Sequence, residues 1–200
     1  TAGDIRRLCS EAKEYGFYAV CVNSFFVPVC REELGDSGIK IAAVVGFPLG
    51  ASFTGVKVLE AELACKAGAS EIDMVLNIGA FKSGDFEYAA ADIRAVAEVV
   101  HGCGGILKVI LETSLLDALE IERACKLASD AGADFVKTST GFTGRGASLE
   151  DIEAMKKSIP QNVKIKASGG IRDRAAAEAM IRAGADRIGA SAGIKIVKGE

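Results

Sequence analysis

The stretch "DAGADFVKTST", Asp130 to Thr140, sets a helix stop beside a strand start. Gly132 suits the left-handed residue that ends a helix, and Phe135-Val136 begins an apolar run of the length of a short buried strand. The same signal recurs as "KAGA" (Lys66 to Ala69) and "RAGA" (Arg182 to Ala185). Another short run follows each: "SEIDMVLNIG" (Ser70 to Gly79) after the first and "ADRIGASAG" (Ala185 to Gly193) after the second. Further runs are "YAVCVNS" (Tyr18 to Ser24), "IKIAAVVGFP" (Ile39 to Pro48), "GILKVILETS" (Gly105 to Ser114) and "VKIKASGG" (Val163 to Gly170). Amphipathic stretches such as "FEYAAADIRAVAEVVHG" lie between them. Strands alternating with helices predict a parallel sheet with right-handed crossovers.

Seven candidate strands result. Their spacing of about 22–35 residues suits an α/β fold of the (β/α)8 TIM-barrel type better than an open doubly wound sheet. No G-x-G-x-x-G follows an early strand to support a dinucleotide site. A closed barrel needs an eighth strand. The chain opens on "TAGDIRRLCSEAKEYG", a helix with Thr1 or Asp4 near its start. The first strand is therefore expected to be missing, and residues 1–200 to form one N-terminally incomplete barrel domain.

Lys137 sits at the end of its run, where an ammonium stripped of water needs a partner or a function. Strand side chains alternate between the barrel interior and the helix-facing side. In "EIDMVLN", Asp73 takes the face opposite Ile72, Met74 and Leu76. In "ILKVILE", Lys108 and Glu112 point inward while Leu107, Val109 and Leu111 face the helices. In "VKIKAS", Lys164, Lys166 and Ser168 point inward, and Lys137 shares its face with Phe135. Asp73, Lys108, Glu112, Lys137 and Lys166 are thus expected to converge, most of them late in their strands, where the sites of such barrels lie. An internal salt-bridge network would place the same residues together. Like charges at close range push one another toward neutrality, and a neutral amine at pH 7 is the nucleophile that Schiff-base chemistry needs.

Composition narrows the chemistry. Of 200 residues, 50 % are apolar and 26 % charged, enough for a core and no sign of disorder. A net charge of −3 without a basic run argues against nucleic acid as a partner. No apolar run has the length of a membrane span and no secretory signal opens the chain, so a cytoplasmic location is expected. The six cysteines form no C-x-x-C pair and read as reduced, mostly buried thiols. His101, the only histidine, sits in "VVHGCGG" at a helix end. A His-rich zinc site and a Ser-His-Asp triad are both disfavoured, leaving lysine and carboxylate to carry catalysis, and no cofactor is expected.

An anion site is suggested by "SGGIRD", which leads into a helix starting near Asp173, and by "GASAGI" after the last strand. Glycines let backbone N–H groups approach an anion, and the loops after the last two strands of such barrels are a frequent phosphate site. Arg172 adds charge there or is a solvated helix residue.

The residues also resemble a known family. "EIDMVLNIGAFKSGD", "LKVILETSLL", "ADFVKTSTGF", "KASGGIR" and "RIGASAG" are similar to deoxyribose-phosphate aldolase, a class I aldolase. "AVCVNSFFV" and "IAAVVGFPLGA" resemble its earlier strands, and a strand of the D-H-T-L-L type that the family places first is absent here. The resemblance implies that Lys137 is the Schiff-base lysine. It makes Lys166 the second lysine, whose charge favours the nucleophilic form of the first, and Asp73 the acid that relays protons. Gly169, Gly170, Gly189 and Ser191 match the family's phosphate-binding positions. The implied reaction is reversible cleavage of 2-deoxy-D-ribose 5-phosphate to acetaldehyde and D-glyceraldehyde 3-phosphate, with a small sugar phosphate as the only partner beyond a homodimer or homotetramer left open. Another lysine aldolase or transaldolase on this barrel, or a non-catalytic sugar-phosphate binder, are the competing readings.

Overall fold

The computed structural model describes residues 1–199. Seven parallel strands pair in chain order into one curled sheet: β1 (Ala19–Asn23), β2 (Lys40–Val45), β3 (Glu71–Val75), β4 (Ile106–Ile110), β5 (Phe135–Lys137), β6 (Lys164–Ser168) and β7 (Arg187–Gly189). Each lies inside one of the runs expected from the sequence. The helices are α1 (Ala2–Tyr15), α2 (Val27–Leu34), α3 (Thr54–Ala67), α4 (Ile78–Lys82), α5 (Phe86–Gly102), α6 (Ala118–Asp130), α7 (Leu149–Ser158), α8 (Arg174–Ala183) and α9 (Gly193–Lys198). Among the described residues β1 and β7 are the sheet's edges and do not pair with each other. The Arg187 guanidinium on β7 lies 4.1 Å from the centroid of the Tyr18 ring, just ahead of β1.

The repeated helix stop has one geometry. Gly68 and Gly184 cap α3 and α8 with φ of 115° and 121°, and Gly132 follows α6 with φ of 98°. The alanine after each glycine donates its N–H five residues back: Ala69 to Ala64, Ala133 to Ala128, Ala185 to Met180, at 2.9–3.0 Å. This is the Schellman closure, which satisfies a terminal carbonyl and turns the chain toward the next strand. At the other end of the chain's first helix, Thr1 and Asp4 form a reciprocal capping box.

Strand parity then divides the interior into two chemistries. Ile72, Met74 and Leu76, Leu107, Val109 and Leu111, and Ile165 and Ala167 are fully buried against the helices in one apolar core. Truncating one of them, as in Leu107→Ala, is expected to cost about 2–5 kcal/mol through lost burial and the cavity left behind. The opposite face lines the barrel. There Ala42, Val75 and Ile110 alternate with Glu71, Asp73, Lys108, Lys137 and Lys166, all of them buried. Lys164 departs from its expected inward place. It begins β6, where the barrel opens, and is exposed with its ammonium over the Phe135 ring.

Candidate active site

Asp73 is the hub of the barrel interior. Strand pairing sets Asp73 beside Lys108 and Lys137 beside Lys166. Lys108 donates to Asp73 Oδ1 at 2.7 Å, while Lys137 and Lys166 both donate to Oδ2, at 2.9 Å and 2.7 Å. Two ammonium groups thus share one oxygen. Burial pushes the Asp73 carboxyl up, but the charges of Lys137, Lys166 and Lys108 outweigh it and hold the group well below the usual carboxylate range. Burial likewise pushes Lys166 down, and the charge of Asp73, ahead of smaller contributions, reverses this and raises it above its ordinary value.

Two carboxylates face four cations here, since Glu71 lies 2.7 Å from Lys108 and 3.1 Å from Arg187. Glu71 shares the parity of Asp73, and Arg187 begins the last strand, so alternation alone could have found this pair. Cys21 on β1 adds a thiol 4.0 Å from Asp73 Oδ2. The lysines differ in access: Lys108 is 0 % exposed, Lys137 5 % and Lys166 6 %. Only the last two retain any exposure, and Lys137 is the last residue of β5, at the C-terminal end of the strands where barrel sites form.

Glu112, expected inward with this cluster, does not join it. β4 ends at Ile110, and Glu112 turns aside to accept hydrogen bonds from Thr140. His101, in the last turn of α5 as expected, lies on the outer surface 2.9 Å from Asp134. All six cysteines are free thiols; Cys9, Cys30 and Cys125 are buried, whereas Cys103 lies at the surface.

The glycine turns lie next to one another, because Ser168 and Gly189 are register partners on β6 and β7. Gly169 and Gly170 take φ of 84° and 76°, a left-handed pair in the turn before α8. Packing also demands glycine nearby: a Cβ on Gly146 would meet the Gly169 carbonyl oxygen at 2.1 Å. Gly189 serves the lysines as well as the turn, since a Cβ there would stand 3.0 Å from Lys166 Cε. Ser191 is exposed in the turn before α9, and Arg172 is exposed beside Gly170. The ends of β5 and β6 are clamped together, with Thr138 Oγ1 accepting from Ser168 N–H and donating to Ser168 O, both at 3.0 Å.

Fold and site together define a parallel β/α-barrel protein whose interior centres on amines gathered around one carboxylate. The family model for DeoC/LacD family aldolases matches residues 1–199, and the chain belongs to that family. The deoxyribose-phosphate aldolase of Aciduliprofundum boonei is 55 % identical over 198 residues, covering 99 % of this chain and 89 % of the relative. That of Thermococcus gammatolerans is 52 % identical over 201 residues, covering 100 % of this chain and 89 % of the relative. Among solved structures, the deoxyribose phosphate aldolase from Aeropyrum pernix, described as a unique tetrameric structure, superposes with a TM-score of 0.92 at 33 % identity. That match covers 99 % of this chain and 83 % of the other.

Proposed function

We propose that the chain is a class I aldolase that reversibly cleaves 2-deoxy-D-ribose 5-phosphate to acetaldehyde and D-glyceraldehyde 3-phosphate through a Schiff base on Lys137. The observation that carries this reading is the shared Asp73 oxygen, which holds Lys137 and Lys166 together at the barrel mouth. An excess of positive charge favours loss of one proton. Asp73 raises Lys166 above its ordinary value, so on this reading Lys166 supplies the charge and Lys137, the last residue of β5, is the nucleophile.

The neutral Lys137 Nζ attacks the C1 aldehyde carbon of the open-chain sugar, and the carbinolamine loses water to give a protonated imine. The imine draws the electron pair of the C2–C3 bond as that bond breaks, and the C3 hydroxyl loses its proton to become the aldehyde of glyceraldehyde 3-phosphate. The remaining enamine is protonated at C2, and water hydrolyses the imine to release acetaldehyde and free Lys137. Asp73 and Lys166 carry the protons between these steps, a contribution of about 10²–10⁴-fold in rate. Gly169, Gly170, Gly189 and Ser191 hold the phosphate, the turn at Gly169–Gly170 offering N–H groups.

Self-association belongs to the same reading. Val56, Leu59 and Leu63 form an apolar row on the outer face of α3, 54 %, 54 % and 55 % exposed, suited to a second copy of this chain.

The test of function is direct. The purified chain, incubated with 2-deoxyribose 5-phosphate and a chelator, is expected to release glyceraldehyde 3-phosphate and acetaldehyde in equal amounts. Release from a hydroxyketone donor but not from this substrate would point to a transaldolase instead.

A further inference from the structure

Glu112 is built against ordinary preferences in three ways. Among the described residues it is the one non-glycine with positive φ, at 56°. It is 1 % exposed, and its Oε1 is buried without a hydrogen-bond partner. Oε2 accepts from the Thr140 N–H at 3.2 Å and, in a very short bond, from the Thr140 hydroxyl. A left-handed backbone is unfavourable for a residue with a Cβ, and an unpaired buried oxygen adds to the cost.

The backbone shows how the carboxylate is re-aimed. Leu111 N–H donates to Lys137 O and Thr113 N–H to Thr138 O, at 2.9 Å and 3.0 Å. Two residues advance on one side while one advances on the other, so Glu112 is the extra residue of a bulge. Bulges of this kind redirect a side chain at the rim of a barrel. A residue needed only for the turn would be glycine, which takes this conformation freely and buries no unpaired oxygen.

Resting on the aldolase reading above, we propose that Glu112 is a positioning residue for sugar recognition, acting through Thr140. The Thr140 hydroxyl donates to Glu112 and accepts from Phe142 N–H at 3.1 Å. Its proton is thereby committed, and its oxygen keeps one lone pair that accepts from a hydroxyl of the substrate's hydroxylated end. Thr140 is half-buried just beyond Lys137, in a loop whose Ser139 and Gly141 pack on Gly169. The bond from Glu112 therefore fixes one wall between the amine and the glycine turn.

Acetaldehyde has no hydroxyl, so its imine does not use this wall. The experiment compares borohydride trapping of acetaldehyde with cleavage of 2-deoxyribose 5-phosphate in Glu112→Gly, Glu112→Gln, Thr140→Val, Thr140→Ser and the Glu112→Gly/Thr140→Val double variant. Trapping should stay within about twofold of the parent, while kcat/KM for cleavage falls about 10–100-fold in Glu112→Gly and Thr140→Val and far less in Glu112→Gln, whose amide oxygen still accepts from Thr140. Thr140→Ser should recover most of the loss, and the double variant should be no worse than either single one. The thermal midpoint of Glu112→Gly should equal or exceed the parent's, so that a lost fold does not explain lost cleavage. Unchanged cleavage in Glu112→Gly, or equal losses in trapping and cleavage, would overturn the assignment. A parent that traps no acetaldehyde would overturn the aldolase reading and this one with it.

Discussion

Lys57 and Lys137 are both lysines taken out of water, one outside the barrel wall and one inside it. Lys57, on α3, is fully buried and donates to Asp92 at 2.5 Å and to the Val75 carbonyl at 3.0 Å. Asp92 is itself sealed and accepts from Thr54 as well. One cation meets one anion with hydrogen bonds filled, the arrangement in which a buried pair holds structure. Lys137 shares its anion with two other lysines and keeps a small exposure that Lys57 lacks. On the proposed function, the difference assigns to charge balance and access, rather than burial, the separation of a structural lysine from a reactive one.

The sharpest way to break this comparison is to remove each amine in turn. Lys137→Ala is expected to lower kcat for cleavage by more than about 10³-fold while the thermal midpoint holds or rises, because an overcharged cluster loses a cation. Lys57→Ala should do the reverse. It leaves Asp92 buried and unpaired, costing about 3–5 kcal/mol in urea unfolding, with little change in kcat of the folded fraction. Matching losses of activity in both would erase the distinction.

A smaller effect is expected at the anion turn. Gly170→Val forces a β-branched residue into a left-handed position, and its KM for 2-deoxyribose 5-phosphate should rise about tenfold more than that for unphosphorylated 2-deoxyribose. Steady-state kinetics with both sugars decides this, and equal losses would assign Gly170 to the turn alone. Smaller again is the tuning of one lysine by the other. Removing the Lys166 charge makes its neighbour easier to protonate, so imine trapping in Lys166→Leu should need higher pH, whereas Lys166→Arg should trap at the parent's pH yet turn over slowly. A trapping profile that does not move in Lys166→Leu would leave desolvation as the source of reactivity.

The smallest effect concerns acid. The Asp73 carboxyl lies well below its ordinary 3.8 in the folded chain, so its charge stabilises the fold fully above that value. The stabilisation is lost as pH falls through the lower folded value. Urea midpoints measured from about pH 6 down to about pH 3 should therefore fall, and the fall should be shallower in Asp73→Asn.

How much of this was legible in the sequence depends on where regularity holds. Period-two alternation was enough to bring Asp73, Lys108, Lys137 and Lys166 to one interior, because each lies within a regular strand. It failed at Glu112, where a bulge consumes one residue and resets the parity, and nothing in "VILETS" marks that bulge. It failed at Lys164 because parity says which face a side chain takes, not how far along the barrel the interior is closed. Nothing local to Lys57 marks it as buried; its partner Asp92 lies on a different helix, and only the packing of α3 against α5 brings them together. The second role of Gly189, making room for Lys166, is a cross-strand contact that no local motif reports.

The central claim, that the shared-carboxylate lysine is the reactive one, is tested most directly by locating the adduct. The chain is incubated with acetaldehyde, reduced with borohydride and digested, and its peptides are read by mass spectrometry. The account expects one N-ethyl group on the peptide carrying Lys137, with Lys57, Lys108 and Lys166 unmodified. An adduct on Lys166, or on none of the interior lysines, would contradict it.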